Sequence, residues 1–277
     1  MAVQLLKDRP ELAPLRRCFV RASRAAMQVS HPAVVNYFES GETDEGQPYV
    51  VMEYLRGETL RQLLAREERL DPTLALRLFL DAAAGLSEIH RAGLVHRDIK
   101  PDNLFLVGPR GAPSRLKVLD FGLAQLIRSN RKKSRPLIVG TTEYMPPEQI
   151  VCDPVDARSD VYSLGAVMFR ALTGELPFAE LPHKSMMVHH LVTPVPPPSW
   201  LAEELPPGLQ TVVLRALRKH PDNRFPTMNA LSAALELISI GDGHELIEPP
   251  LAHQPDTYVP QCEHAQDALR ALGVLAA

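Results

Sequence analysis

The residues with the clearest chemical potential lie mid-chain, in His96-Arg97-Asp98-Ile99-Lys100-Pro101-Asp102-Asn103 and, further on, Asp120-Phe121-Gly122. An aspartate, an asparagine five residues later and a second aspartate on a glycine-ended turn supply hard oxygen ligands suited to Mg²⁺, with a carboxylate beside them placed as a base. Such a set suits attack by a hydroxyl on a phosphate ester, a reaction in which positioning and charge neutralisation supply most of the catalysis.

These motifs, in this order, resemble those of a eukaryotic-like bacterial serine/threonine protein kinase, and the resemblance runs over roughly residues 1–240. It implies an α+β, two-lobed fold with a truncated β-rich N-lobe over 1–54, a mainly helical C-lobe over 55–240 and a linker with a short helix over 241–277. It also implies ATP-dependent phosphoryl transfer to serine or threonine of protein substrates, with Mg²⁺, or Mn²⁺ in its place, as cofactor. Asp98 would accept the hydroxyl proton, Lys100 would meet the γ-phosphate, and Asn103 and Asp120 would hold the metal. Lysine two residues after the base is the serine/threonine pattern rather than the tyrosine one.

The same resemblance assigns the nucleotide site and its supports. Met52 would sit behind the adenine, Glu53-Tyr54-Leu55 would form the hinge that meets its edge, and Phe105 would pack beneath the ring. His96, Phe121 and Gly122 belong to the two motifs themselves. Thr141 would serve substrate docking, Glu148 would pair with Arg224, and Asp160 would cap the catalytic-loop backbone. A phosphate added to the basic segment between Gly122 and Glu148, at Ser129, Ser134, Thr141 or Thr142, would pair with Arg97.

Four departures stand against the pattern. Gln4 occupies the place of the strand lysine, Ala22 that of its glutamate partner, and Pro146 that of the alanine before Pro147-Glu148. No glycine-rich loop precedes the first strand, so the chain start is expected to be either truncated or misassigned, with Met1 an internal methionine. Ala26 also offers little side chain to pack on Phe121.

Length and composition set the outer limits. A chain of 277 residues, 45% apolar and 23% charged, suits one large domain or two lobes. Its net charge of −3 argues against nucleic acid as a partner. Cys18, Cys152 and Cys262 are too scattered for a disulfide framework, which favours a reducing cytoplasm. No apolar run reaches the ~18 residues of a membrane span.

Periodicity then places the elements. Residues 1–6 read as a short strand, 14–29 as an amphipathic helix, and 34–38 and 48–54 as two strands joined by the turn 40–47. Gly57 opens a helix capped by Thr59. Asp71 with Pro72 starts a long one ending at Gly93, whose His90 reads as a structural histidine. Leu104–Leu106 and Arg115–Leu119 form a hairpin, Asp160 begins a helix that stops at Gly174, and Leu209–Arg218 and Met228–Ile240 close the domain. Pro194–Pro198 is an extended connector, and 264–275 is a short amphipathic helix that docks back on the domain.

Two functions compete on these grounds: a serine/threonine protein kinase, and a pseudokinase that binds nucleotide or partners without transfer. A small-molecule phosphotransferase shares the lower-lobe logic, but Arg97, Lys100 and the Gly-Thr…Pro-Glu segment favour protein substrates. Self-association or a regulatory partner is compatible with either function.

Overall fold

The structure is a computed structural model that describes residues 1–5, 23–110, 115–121, 142–179, 183–202, 205–239 and 256–260. Expectations for Gly122, Thr141, Ala22, Ser129, Ser134 and most of the helix over 14–29 lie outside these residues, though 23–26 are helical.

Three strands build the first sheet in the order β1-β3-β2: β1 (Ala2–Leu5), β2 (Tyr37–Glu42) and β3 (Pro48–Met52), all antiparallel. Side chains alternate along a strand, so in β1 Val3 and Leu5 are exposed while Ala2 and Gln4 are half-buried on the other face. Gln4 stands opposite Val50. A register shift between Tyr37 and Glu39 buries Tyr37 and leaves Phe38 exposed.

The strand expected over 34–38 therefore starts later, because Val34 and Val35 are used elsewhere. Val34 makes a parallel bridge to Val118, and the Val35 N–H donates to Val118 O at 3.0 Å. The turn is correspondingly tighter. Thr43 closes it, its N–H donating to Gln47 O and its Oγ1 accepting from Gln47 N–H.

A second sheet, β4-β5-β6, joins β4 (Gly57–Thr59), β5 (Leu104–Val107) and β6 (Arg115–Val118). The expected hairpin is present as β5 and β6, but Gly57 opens a strand rather than a helix. Its φ is +152° and a Cβ there would fall 1.9 Å from Leu106 O, so only glycine lets β4 pair this closely with β5. Helix α1 (Leu60–Glu67) follows, and Thr59 caps it in a reciprocal box with Gln62.

Helix α2 (Pro72–Arg91) is the central pillar. Asp71 caps it by accepting from the N–H groups of Thr73 and Leu74, and Gly93 leaves it at φ +75°. Its buried face, including Leu78, Phe79, Ala82, Leu86 and Ile89, packs on β6, α4 (Ala157–Thr173) and α7 (Met228–Ser239). At Gly85 an added Cβ would meet Ala33 O at 2.6 Å, so helix and preceding loop touch backbone to backbone.

Three shorter helices complete the set: α3 (Pro147–Ile150), α5 (His183–Val192) and α6 (Leu209–Ala216). Helix α4 begins three residues before Asp160, because Asp156 caps it through Arg158 N–H, and it ends at Gly174 as expected. Residues 256–260, expected as linker, are instead packed on α3 and α5 with Tyr258 buried. Among the described residues no helix is long and apolar enough to cross a membrane.

Buried His190 on α5 gives this core a pH limit. Its Nδ1 lies 2.8 Å from the Tyr162 hydroxyl and its Nε2 3.1 Å from Glu143 O, partners that suit the neutral ring with the proton on Nε2. Burial chiefly, then the nearby Lys219 charge, holds its pKa down at about 3. A depressed folded pKa means that stability is complete above the unfolded value of 6.5 and is lost as pH falls from there toward 3. Lys219, held down to about 7 by burial, acts in the opposite window, its cost being relieved as pH rises from 7 toward 10.5. Between pH 6.5 and 5 the His190 effect is on the order of 2 kcal/mol. Denaturant unfolding at both pH values is expected to show a smaller drop for His190→Gln, and equal drops would contradict the assignment.

Candidate active site

The catalytic loop hangs from one buried carboxylate. Asp160, fully buried on α4, accepts from His96 N–H and Arg97 N–H, both at 2.8 Å, and pairs with His90 Nε2 at 2.7 Å. Burial alone would raise its pKa, but the hydrogen bonds from His90 and from Arg97 N–H hold it below the ordinary carboxylate range. Arg97 sits at φ +67°, a conformation rare for a non-glycine residue, and the Asp160 bond fixes it there. His90 is thus structural, as expected.

His96 ties the loop to the Asp120 turn. Its Nε2 lies 2.8 Å from Leu119 O, and its Nδ1 accepts from Asp98 N–H at 3.3 Å. Leu119 N–H in turn donates to Asn103 O at 2.9 Å. The loop and the Asp120 turn are therefore one hydrogen-bonded unit.

Within it, Asp98, Lys100 and Asn103 converge. Lys100 Nζ donates to Asp98 Oδ2 at 2.7 Å, and Asn103 Nδ2 donates to the same oxygen at 3.0 Å and to Asp98 O at 2.7 Å. Both Asn103 amide hydrogens are thereby used, which leaves Oδ1 as its acceptor. Asp98 remains about a third exposed, open to a substrate from solvent.

Asp120 is more enclosed, at φ +53°. Burial, with the Asp98 charge adding to it, pushes its pKa up, against His96, a hydrogen bond from Gln4 and Lys100. A buried carboxyl whose ionised form is opposed by its surroundings is a group that a cation would relieve. Together with Asn103 Oδ1 it offers two hard oxygen donors, a set that fits Mg²⁺, which keeps waters and phosphate oxygens for its remaining positions. No cluster of three or more metal-ligating side chains occurs among the described residues, in keeping with so open a site.

Gln4 reaches this carboxyl from β1 with its side-chain amide. Among the described residues its Oε1 is buried without a hydrogen-bond partner. Behind the turn, buried Phe121 meets Tyr37 edge-on with ring centroids 5.3 Å apart. Tyr37 thus packs on Phe121, a part that sequence spacing had not suggested.

The residues expected along the adenine are placed separately. Met52 and Leu55 are half-buried against the main core, and the ring of Phe105 lies over Gly57. Glu53 N–H is bonded to Asn36 O at 2.9 Å. Its carboxylate accepts from Lys117 Nζ at 2.7 Å and Asn36 Nδ2 at 3.2 Å. Glu53 is therefore clamped to β6 by Lys117, whose only sequence signal was a lysine inside the apolar run Leu116–Leu119.

Glu148 and Arg224 meet as expected, bidentate at 2.8 Å for both contacts and buried. Gln149, beside that glutamate, donates from Nε2 to Arg97 O at 3.1 Å. Burial lowers the Arg97 pKa, against the pull of Asp160, and among the described residues its Nε is buried without a partner.

With this fold and this loop, the chain belongs to the protein kinase family, whose domain model matches residues 8–235. It is 38% identical over 239 residues to serine/threonine-protein kinase PknB of Mycobacterium tuberculosis, covering 84% of this chain and 37% of that one. Serine/threonine-protein kinase pkn3 of Myxococcus xanthus is 33% identical over 226 residues, covering 79% and 41%. The crystal structure of the M. tuberculosis PknI kinase domain matches with a TM-score of 0.66 at 25% identity, over 86% of this chain and 84% of that one. The chain thus spans about two fifths of the length of the two full-length relatives. Members of the family typically use ATP and Mg²⁺ and act on proteins.

Proposed function

We propose that the chain is a serine/threonine protein kinase domain that transfers the γ-phosphoryl group of ATP to a hydroxyl of a protein substrate. The observation that carries this is the convergence of Lys100 and Asn103 on one oxygen of a solvent-reachable Asp98. Held through Oδ2, Asp98 has Oδ1 for the substrate hydroxyl. The proton passes to Asp98, the hydroxyl oxygen bonds to the γ-phosphorus, and the bond from that phosphorus to the bridging oxygen breaks to leave ADP. Lys100 sits where negative charge is transferred. Asn103 and Asp120 would hold Mg²⁺, which when bound neutralises phosphate charge. With Glu53 N–H used internally, the Glu53 C=O and Leu55 N–H are the hinge groups for the adenine edge, between Met52 and Phe105. The N-lobe ends and the C-lobe begins at this hinge, and a cytoplasmic setting accompanies the reading.

One observation favours a second reading. Gln4 supplies a neutral donor where the family has a cation, and it binds Asp120 rather than leaving it to the metal. A nucleotide-binding pseudokinase would accommodate this.

Transfer of labelled γ-phosphate from ATP and Mg²⁺ to the chain itself and to a generic basic protein separates the two. Asp98→Ala is expected to lower the signal at least 100-fold, the scale of a general base, with nucleotide affinity nearly unchanged. Asp120→Asn is expected to abolish Mg²⁺-dependent nucleotide binding. Label no greater than in Asp98→Ala would leave the binding module standing, and unchanged binding by Asp120→Asn would remove the metal assignment.

A further inference from the structure

Residues 256–260 cross the protein surface without regular secondary structure, yet they are held at alternate positions as a recognised peptide is held. The Asp256 carboxylate accepts from Lys219 N–H at 2.9 Å and lies 3.9 Å from the Arg218 guanidinium. Tyr258 N–H donates at 2.9 Å to Leu191 O, a carbonyl in the last turn of α5 where no helical partner exists. The Tyr258 ring, 3% exposed, fills a pocket formed by Met145, Ile150, Val151, Met187 and Leu191. Its hydroxyl donates at 2.8 Å to the carboxylate of buried Asp153. Val259, next along, points to solvent.

We infer that the groove between α3 and α5 is a docking site for a peptide of the form Asp-x-Tyr, and that its occupant is the chain's own segment Asp256–Tyr258. The site combines the parts of a peptide-recognition surface: a main-chain bond that aligns the ligand, an amide and a guanidinium for its carboxylate, and an apolar pocket with an acceptor at its floor. The acceptor sets the chemistry. Asp153 takes a phenolic O–H, whereas a phosphorylated tyrosine would bring two negative charges against a buried carboxylate. The ligand is therefore an acidic-x-tyrosine segment with unmodified tyrosine. Because the cis ligand is tethered, its effective concentration is on the order of mM, and the groove stays filled against free peptide of micromolar affinity. The groove abuts the Pro147 helix and Met145, so it lies at the end of the segment that follows the Asp120 turn.

The test measures binding of a fluorescent peptide of residues 253–261 by polarisation, and so does not depend on phosphoryl transfer. The full chain carrying Asp256→Ala and Tyr258→Ala, with the cis ligand removed, is expected to bind at least tenfold more tightly than the unsubstituted chain. The same peptide with phosphotyrosine is expected to bind it at least tenfold more weakly than the unmodified peptide. Equal binding by both chains, binding by neither, or equal binding of the phosphorylated peptide would each overturn the inference. Should the double variant fail to fold, Asp256→Ala alone loosens one anchor and leaves the ring seated. It is expected to bind the peptide more tightly than the unsubstituted chain, and no gain would overturn the inference equally.

Discussion

Glu148→Ala is expected to lower the unfolding free energy by about 3–5 kcal/mol, the cost of breaking a buried ion pair and leaving one charge behind. The reason lies in how completely Arg224 is used. Nε donates to Arg218 O at 2.7 Å, Nη1 to Glu148 Oε1 at 2.8 Å and Arg158 O at 3.0 Å, and Nη2 to Glu148 Oε2 and Lys219 O, both at 2.8 Å. All five N–H groups are thus satisfied, and the guanidinium carbon lies 4.8 Å from the centroid of the Tyr162 ring. Ser159 Oγ adds a bond to Glu148 Oε1 at 2.6 Å. With the carboxylate gone, a buried cation keeps its carbonyl partners but loses its counter-charge. Arg224→Met is expected to cost a similar amount from the other side. The double variant Glu148→Leu/Arg224→Met is expected to recover a large part, because a well-packed apolar pair is often no worse than the ion pair it replaces. Urea unfolding of the three variants reads this directly. Single variants within 1 kcal/mol of the parent would show that the pair does not hold the region together.

That pair was legible from sequence because each partner sits in its own short motif, as did Asp98, Lys100 and Asn103, whose separations of two and five residues place them in one loop whatever surrounds it. Asp71 with Pro72 and the Thr59 cap were legible for the same reason, since a cap and its helix are neighbours in the chain. What stayed hidden depends on contacts between distant segments. Lys117 finds Glu53 across 64 residues, and its neighbours give only an apolar strand. Val34 and Val35 look like the start of β2, but Val118 claims their backbone, and the strand begins after them. Gly57 reads as a helix opener until β5 is alongside, when it becomes the one residue that fits beneath Leu106 O. Tyr258 lies in a proline- and histidine-containing stretch that reads as linker. Its pocket is assembled from two separate parts of the chain, 145–151 and 187–191. The packing of Tyr37 on Phe121 was equally out of reach, because the two rings lie 84 residues apart in the chain.

Asp160→Asn is expected to reduce phosphoryl transfer at least 100-fold while costing less stability than Asp160→Ala, and the difference between the two variants separates positioning from packing. Three donors converge on this carboxylate: His96 N–H and His90 on Oδ2, and Arg97 N–H on Oδ1. Asparagine keeps the shape but turns one oxygen into an N–H₂, which then faces a donor it cannot accept from. Whichever way the amide lies, either the pair on Oδ2 or the Arg97 N–H is left unsatisfied in a fully buried site. Arg97 is the more sensitive of these, because its φ of +67° stores about 1–3 kcal/mol of strain that only the surrounding bonds maintain. Released, it relaxes and carries Asp98 with it, and a displacement of about 1 Å at the base is enough for a 100-fold loss. Alanine removes every acceptor and strands three donors, with a further cost of about 1–3 kcal/mol for each. Because Asp160 contacts no substrate, the asparagine variant is expected to lose kcat with little change in the KM for ATP. Transfer by Asp160→Asn at the parent rate would show that the Asp98 position does not depend on this anchor. A KM that rises in step with the loss of kcat would place the damage at the nucleotide site instead.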